Sequence, residues 1–221
     1  PRRRRGRRRG RALLWTAVAA ALVVAAAATG FFVLRDDGGG TPVAFTVPMD
    51  VCTLLTPQDV GGLLRTQSPP KAQPDADEVG PKCGWPVPRT GVGLQVQKDS
   101  DTVDPWSMTA GTARTLFANQ KRYWSKYDDI DWTWPEIGLN KSMRSKRTPV
   151  RDLTGLGEEA FAFELKGTTG RVVSAHVFYR VANLVVTVEY ATLTDKPTDE
   201  DIKQSALKAA RATEQALRRA G

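Results

Sequence analysis

Histidine occurs once, at His176, and cysteine only twice, at Cys52 and Cys83. A Ser/His/Asp or Cys/His nucleophile system therefore has to be built around that single imidazole. The two cysteines lack both the CxxC spacing and the neighbouring histidine of a redox or metal pair, so no metal and no cofactor is expected. Acids are missing from the first eleven positions, which hold eight arginines (Arg2, Arg3, Arg4, Arg5, Arg7, Arg8, Arg9, Arg11). Those eight account for the whole formal net charge of +8, because the other 210 residues carry 24 Lys+Arg against 24 Asp+Glu. The basic pI thus describes a tail rather than a domain, and no nucleic-acid partner is implied. No internal repeat is present. With 41% hydrophobic and 25% charged residues, the chain is neither collagenous, disordered throughout, nor a dense disulfide scaffold.

What is present first is an uncharged run. Residues 12–34 (ALLWTAVAAALVVAAAATGFFVL) form 23 positions bracketed by Arg11 and Arg35, and as a helix they reach roughly 34 Å, enough for a hydrocarbon core of about 30 Å. A transmembrane helix is expected. The arginines before it, against Asp36 and Asp37 after it, place residues 1–11 in the cytoplasm and the remainder outside by the positive-inside rule. Because the chain opens on Pro1, further cytoplasmic sequence is expected ahead of it. Cleavage after Ala26-Ala27-Ala28 is the competing reading, but the apolar run continues through Phe31 to Leu34, which favours a retained anchor. Ala17, Ala21, Ala25 and Thr29 make a small-residue stripe at spacing four, a possible helix-association face.

Residues 35–48 combine acids, three glycines and two prolines, the composition of a tether. An extracytoplasmic domain is expected over 49–221. Thr56-Pro57-Gln58-Asp59 reads as a capped start to a short helix ending near Arg65. Residues 66–80 read as an exposed polar loop. Short strands follow at 85–87 and 92–97, then a helix from Asp104-Pro105 to about Lys126, on which Trp106, Ala110, Ala113, Phe117 and Trp124 recur at helical spacing. Residues 127–152 give no regular pattern. Strands are expected at 160–165, 171–181 and 184–191, and Thr198 with Asp199, Glu200 and Asp201 caps an amphipathic helix to about Arg219. Helices interspersed with hairpins define an α+β domain, a mostly antiparallel sheet packed by helices.

Outside a bacterial membrane thiols oxidise, and two cysteines 31 positions apart allow one pairing, Cys52 with Cys83. The segments Asp50-Val51-Cys52-Thr53-Leu54-Leu55-Thr56-Pro57, Cys83-Gly84-Trp85, Gly155-Leu156-Gly157-Glu158-Glu159-Ala160-Phe161 and Asn183-Leu184-Val185-Val186-Thr187-Val188 resemble a family of actinobacterial envelope proteins, domain of unknown function thirty-five fifty-eight. The resemblance runs from about Met49 to the C-terminus. It implies an envelope domain, carried here on a transmembrane helix where many members are lipoproteins, and it supplies no activity or catalytic residue. The excess of 21 Arg over 11 Lys is compatible with a GC-rich genome.

Three motifs are decoys. Gly155-Leu156-Gly157-Glu158-Glu159-Ala160 fits a loose dinucleotide fingerprint but is followed by a strand pattern instead of a helix. Ser205-Ala206-Leu207-Lys208 matches SxxK without the companion motifs. Asp99, Asp101 and Asp104 lack the glycine and glutamate of a calcium loop.

Matching apolar faces sets a hairpin register of Val181 opposite Leu184, Tyr179 opposite Val186, Val177 opposite Val188 and Ala175 opposite Tyr190. That register puts Ser174, His176, Phe178 and Arg180 on a solvated outer face, with His176 opposite Glu189, whose carboxylate is expected to raise the imidazole pKa. A Ser174, His176, Glu189 grouping is conceivable there, although nothing resembling an oxyanion motif accompanies it.

The leading functional reading is a non-catalytic, membrane-anchored module that binds an envelope polymer or a membrane protein partner. Its candidate surface is Trp132 and Trp134, two rings on one side of an extended acidic segment, beside the basic Arg144, Lys146 and Arg147. The alternatives are an assembly role, with homo-oligomers formed through Ala17, Ala21 and Ala25, and an envelope hydrolase centred on His176.

Overall fold

The computed structural model describes residues 45–46, 49–98 and 108–220. The chain divides into units Pro1–Thr41 and Pro42–Gly221, and the described residues belong to the second. The basic tail, the expected transmembrane helix at 12–34 with its alanine stripe, most of the tether, and Asp99, Asp101, Asp104 and Trp106 lie outside them. Among the described residues, no helix is long and apolar enough to cross a membrane.

A 3-10 turn at Val51–Thr53 precedes helix α1, Pro57–Leu64. The start of α1 is a reciprocal capping box: Thr56 Oγ1 accepts from the Asp59 N–H at 3.2 Å, and the Asp59 carboxylate accepts from the Thr56 N–H at 3.0 Å. Strands β1 (Gln73–Ala76), β2 (Pro81–Val87) and β3 (Thr90–Gln97) come next, then helix α2 (Ala110–Lys126). A hairpin of β4 (Asp129–Trp134) and β5 (Leu139–Arg147) is followed by β6 (Arg151–Leu153), β7 (Glu159–Lys166), β8 (Val172–Val181), β9 (Leu184–Thr192) and helix α3 (Asp199–Ala220). Thr198 and Asp201 cap α3 as α1 is capped, the Asp201 N–H donating to Thr198 Oγ1 at 3.1 Å.

The strands form one sheet in the order β1-β2-β3-β9-β8-β7-β5-β4, with β6 also paired to β7, and every pairing is antiparallel. The β8–β9 register is the one that apolar matching dictates, Val181 to Leu184 through Ala175 to Tyr190. Three segments differ from expectation: the helix expected from Asp104-Pro105 starts at Ala110, where the Thr109 side chain accepts from the Thr112 N–H. Residues 127–152 hold a β-hairpin, and the polar stretch 66–80 contributes the edge strand β1.

Period-two alternation gives the sheet two faces. On the first lie Val92, Leu94 and Val96 of β3, Val186 and Val188 of β9, Val177 and Tyr179 of β8, and Ala160 and Ala162 of β7. Helix α3 covers them with Ile202, Ala206, Ala209, Ala210 and Leu217, and α1 adds Val60, Leu63 and Leu64. The alanines on α3 keep its axis close to the sheet. On the second face a smaller cluster joins Phe161, Phe163 and Leu165 of β7, Phe178 of β8 and Val185 of β9 to Ala113 and Phe117 of α2. The Phe161 and Phe178 rings stack at 4.7 Å with an interplanar angle of 7°.

The Cys52–Cys83 disulfide ties the 3-10 turn to β2. Closing a loop across a sequence separation of 31 restricts the unfolded chain and stabilises the fold by roughly 3 to 4 kcal/mol in the chain-entropy treatment. The double substitution Cys52→Ser/Cys83→Ser should lose that amount in urea titrations. A change below about 1 kcal/mol would mean that the bridge closes a region already ordered without it.

Candidate functional site

The second face is not apolar throughout, and its register shows where it changes. One rung runs Gly84, Gly93, Glu189, His176, Phe163, and the next runs Lys82, Gln95, Thr187, Phe178, Phe161. Each rung is aromatic at the β7 and β8 end and gives way to polar side chains or glycine at the β9, β3 and β2 end. Helix α2 packs on the aromatic end through Phe117 and Trp124, the Trp124 ring lying 4.8 Å from Phe163. The polar end is left as the floor of a cleft.

That cleft has a volume of about 810 Å³, within the range of ligand pockets. Gln95, Gln97, Thr187, Glu189 and His176 lie at its floor, and the α2 side chains Tyr123, Trp124 and Tyr127 form an aromatic wall, with Arg122 and Lys126 at the rim. A second hollow of about 530 Å³ shares Gln95, Thr187 and Glu189 and extends to Trp134 and Glu136. The two make one groove across β9, β3 and β2.

Two buried polar atoms in the cleft wall and floor have no hydrogen-bond partner. Gln97 is 4% exposed; its amide nitrogen donates to Thr187 Oγ1 at 2.9 Å, whereas Oε1 accepts from nothing. The Trp124 indole Nε1–H is likewise unmatched. Orphaned polar atoms of this kind cost about 1–3 kcal/mol each when buried. In the wall, Tyr123 and Tyr127 are 54% and 42% exposed, with ring centroids 4.9 Å apart.

At the boundary between the two ends sit the three groups that the sequence placed together. Ser174 Oγ lies 2.6 Å from His176 Nε2 and 3.1 Å from Glu189 Oε1, and His176 Nε2 lies 3.7 Å from the same oxygen. Serine and glutamate therefore converge on one ring nitrogen. A nucleophile–base–carboxylate relay needs them on opposite nitrogens. Ser174 is also fully buried and lines none of the cleft. The assignment that uses each proton once has His176 Nε2–H donating to Ser174 and the hydroxyl donating to Glu189. Such a chain holds the Glu189 carboxylate at the cleft floor.

The expectation of a solvated outer face is overturned. His176 is stacked on Phe163 at 4.8 Å and shielded by Trp124 at 6.4 Å, because α2 covers this end of the sheet. Burial drives its pKa below the ordinary 6.5, against the opposing pull of the Glu189 and Glu164 carboxylates. The sequence reading, which counted the carboxylate and not the covering helix, had the direction reversed. Arg180 is buried on the same face, paired with Glu159 at 2.8 Å and with Glu158.

The candidate surface of the sequence analysis is not one surface. Trp132 and Trp134 point inward on the β4–β5 hairpin, Trp132 donating to Ser145 Oγ at 2.9 Å and Trp134 lying against Gly91 and Gly93, where a side chain at residue 91 would meet its ring at 3.0 Å. Arg144 and Lys146 point outward, opposite Asp131 and Asp129, and Arg144 pairs with Asp129 at 2.9 Å. Arg147 is buried; its guanidinium donates to the Tyr127 carbonyl at 2.6 Å and reaches Asp128 at 3.3 Å. Of these residues only Trp134 lines the groove. Gln95, Gln97, Tyr123 and Tyr127, which line the cleft, are not among the residues expected from the sequence. The one available signal was polar Gln95 and Gln97 alternating with the apolar positions of β3.

Gly157 sits in the β6–β7 turn at φ +58, where a Cβ would strike the Arg180 carbonyl oxygen, and its N–H donates to Glu214. A strand follows it, so no cofactor loop is formed. Among the described residues, no three His, Cys, Asp or Glu side chains are grouped to hold a metal ion.

No protein-family model matches the chain, and no curated protein does. Among solved structures, the extracellular domain of PknH from Mycobacterium tuberculosis is similar, at 15% identity and a TM-score of 0.49, over 80% of this chain and 100% of that one. A likeness of that degree says nothing about ligand or activity.

The only histidine gives an unambiguous nuclear magnetic resonance titration. A base whose folded pKa is lowered leaves the native protein unprotonated while the unfolded chain takes up a proton near pH 6.5. His176 should titrate below that value, and stability should fall as pH drops from 6.5 towards the folded pKa, with a slope of up to about 1.4 kcal/mol per pH unit. A titration at or above 6.5 would mean that the carboxylates outweigh burial.

Proposed function

We propose that this chain is a membrane-anchored, extracytoplasmic binding module of an actinobacterial envelope, one that holds its ligand non-covalently in the cleft between α2 and the polar rungs of β9 and β3. The observation that carries the reading is the cleft floor. A hollow of about 810 Å³ sets the exposed Tyr123 and Tyr127 rings beside a polar floor of Gln95, Thr187 and Glu189. Aromatic side chains beside a few convergent polar groups are the usual lining of a ligand site.

Location rests on separate grounds. The Cys52–Cys83 bridge suits an oxidising compartment, and the arginine cluster ahead of an uncharged 23-residue run orients the chain with its domain outside. Binding is favoured over hydrolysis because Ser174 is sealed and shares one imidazole nitrogen with Glu189.

The test places a photo-crosslinking amino acid at Tyr123, in the cleft wall, and at Gln215, on the exposed side of α3, in the full-length protein in intact cells. The reading requires adducts from position 123 and none from position 215. Equal adducts from both positions, or none from either, would contradict it.

A further inference from the structure

Resting on that reading, we infer that the groove is a binding site for a neutral, hydroxyl-rich glycan. The charges lining the two hollows cancel. Lys82, Arg122 and Lys126 are matched by Asp75, Glu136 and Glu189, and Lys82 is already paired with Asp75 at 3.1 Å and Asp77 at 3.4 Å. Summed over both hollows, the lining has no excess positive charge with which to select a phosphate-bearing polymer.

The floor offers hydrogen-bonding groups of both kinds: Gln95 Oε1 and the Glu189 carboxylate accept, and the Thr187 hydroxyl can donate. A hydroxyl is the group that both donates and accepts, and a sugar offers several in fixed array. An aliphatic ligand would leave these groups without a partner. Beside them the exposed Tyr123 and Tyr127 rings provide aromatic surface for the C–H side of a pyranose, with Lys126 Nζ 5.8 Å from the Tyr127 ring centroid. The groove is also longer than one sugar requires. Its two hollows share Gln95, Thr187 and Glu189, and each has an aromatic lining residue, Tyr123 in one and Trp134 in the other. That outline fits a linear chain of linked units. Glu189 is held at the junction by the Ser174 hydroxyl, so its free oxygen is an acceptor placed for a sugar hydroxyl.

The experiment is calorimetric titration of the full-length protein, held in a zwitterionic detergent free of sugar headgroups. The probes are the tetrasaccharide of N-acetylglucosamine, the tetrasaccharide of glucose, and inorganic tetraphosphate. The expected result is saturable heat from at least one tetrasaccharide and none from tetraphosphate. The exposed pair Tyr123→Ala/Tyr127→Ala should weaken that binding at least about tenfold without lowering the melting temperature. Gln95→Met, which keeps the volume and removes a floor acceptor, should weaken it to a similar degree. The inference is overturned if neither tetrasaccharide binds, if tetraphosphate alone binds, or if binding survives the double tyrosine substitution undiminished. Its failure is distinguishable from failure of the binding-module reading: crosslinks from position 123 with no sugar binding would keep the cleft as a site and remove the glycan from it.

Discussion

An antiparallel sheet whose strands carry apolar side chains on both faces has to be covered twice, and this fold covers its second face only in part. On β7, Ala160 and Ala162 point one way while Phe161, Phe163 and Leu165 point the other. Helix α3 and helix α1 close the first side. The phenylalanines demand a second helix, and α2 supplies it, but its apolar face extends only from Ala113 through Phe117 to Trp124. Beyond that line the rungs turn to Gln95, Gln97, Thr187 and Glu189, which gain nothing from apolar cover. The cleft is therefore a consequence of where the side chains change chemistry along each rung.

Other features follow from the same constraint. His176 stands on the boundary, its ring packed as an aromatic against Phe163 and its nitrogen tied through Ser174 to the polar side. At the far end of the groove Gly91 and Gly93 lack side chains, which admits the Trp134 ring against β3 and lets the β4–β5 hairpin wall that side. The hairpin's outer surface sets acid opposite base, Asp129 across from Lys146 and Asp131 across from Arg144, and the Arg144 guanidinium reaches diagonally to Asp129 at 2.9 Å. The network at Arg147 fixes where α2 ends, since the guanidinium takes the Tyr127 carbonyl.

Much of the frame was legible in the residues. The β8–β9 register came from apolar matching alone, both capping signals came from Thr-x-x-Asp spacing, and the disulfide came from having two cysteines in an oxidising compartment. The β4 strand had its signal too, Asp129-Ile130-Asp131-Trp132-Thr133-Trp134 alternating at period two, masked by acids that disfavour strands. Its partner was not readable, because the inward positions of β5 are Met143, Ser145 and Arg147, an arrangement that makes sense only once Trp132, Tyr127 and Asp128 are in place. The site itself was illegible for the same reason. A strand's polar face looks identical in sequence whether solvent or a helix lies above it, and the pKa of His176 changes direction on that difference.

The most direct test of the account is cysteine accessibility at two adjacent positions of β9. In the oxidised full-length protein, Thr187→Cys should react with a maleimide under native conditions, because residue 187 lies on the open polar rungs. Val188→Cys, pointing into the core beneath α3, should react only after denaturation. Equal protection of both positions, or faster labelling at 188 than at 187, would contradict a sheet covered fully on one face and left open at the polar end of the other.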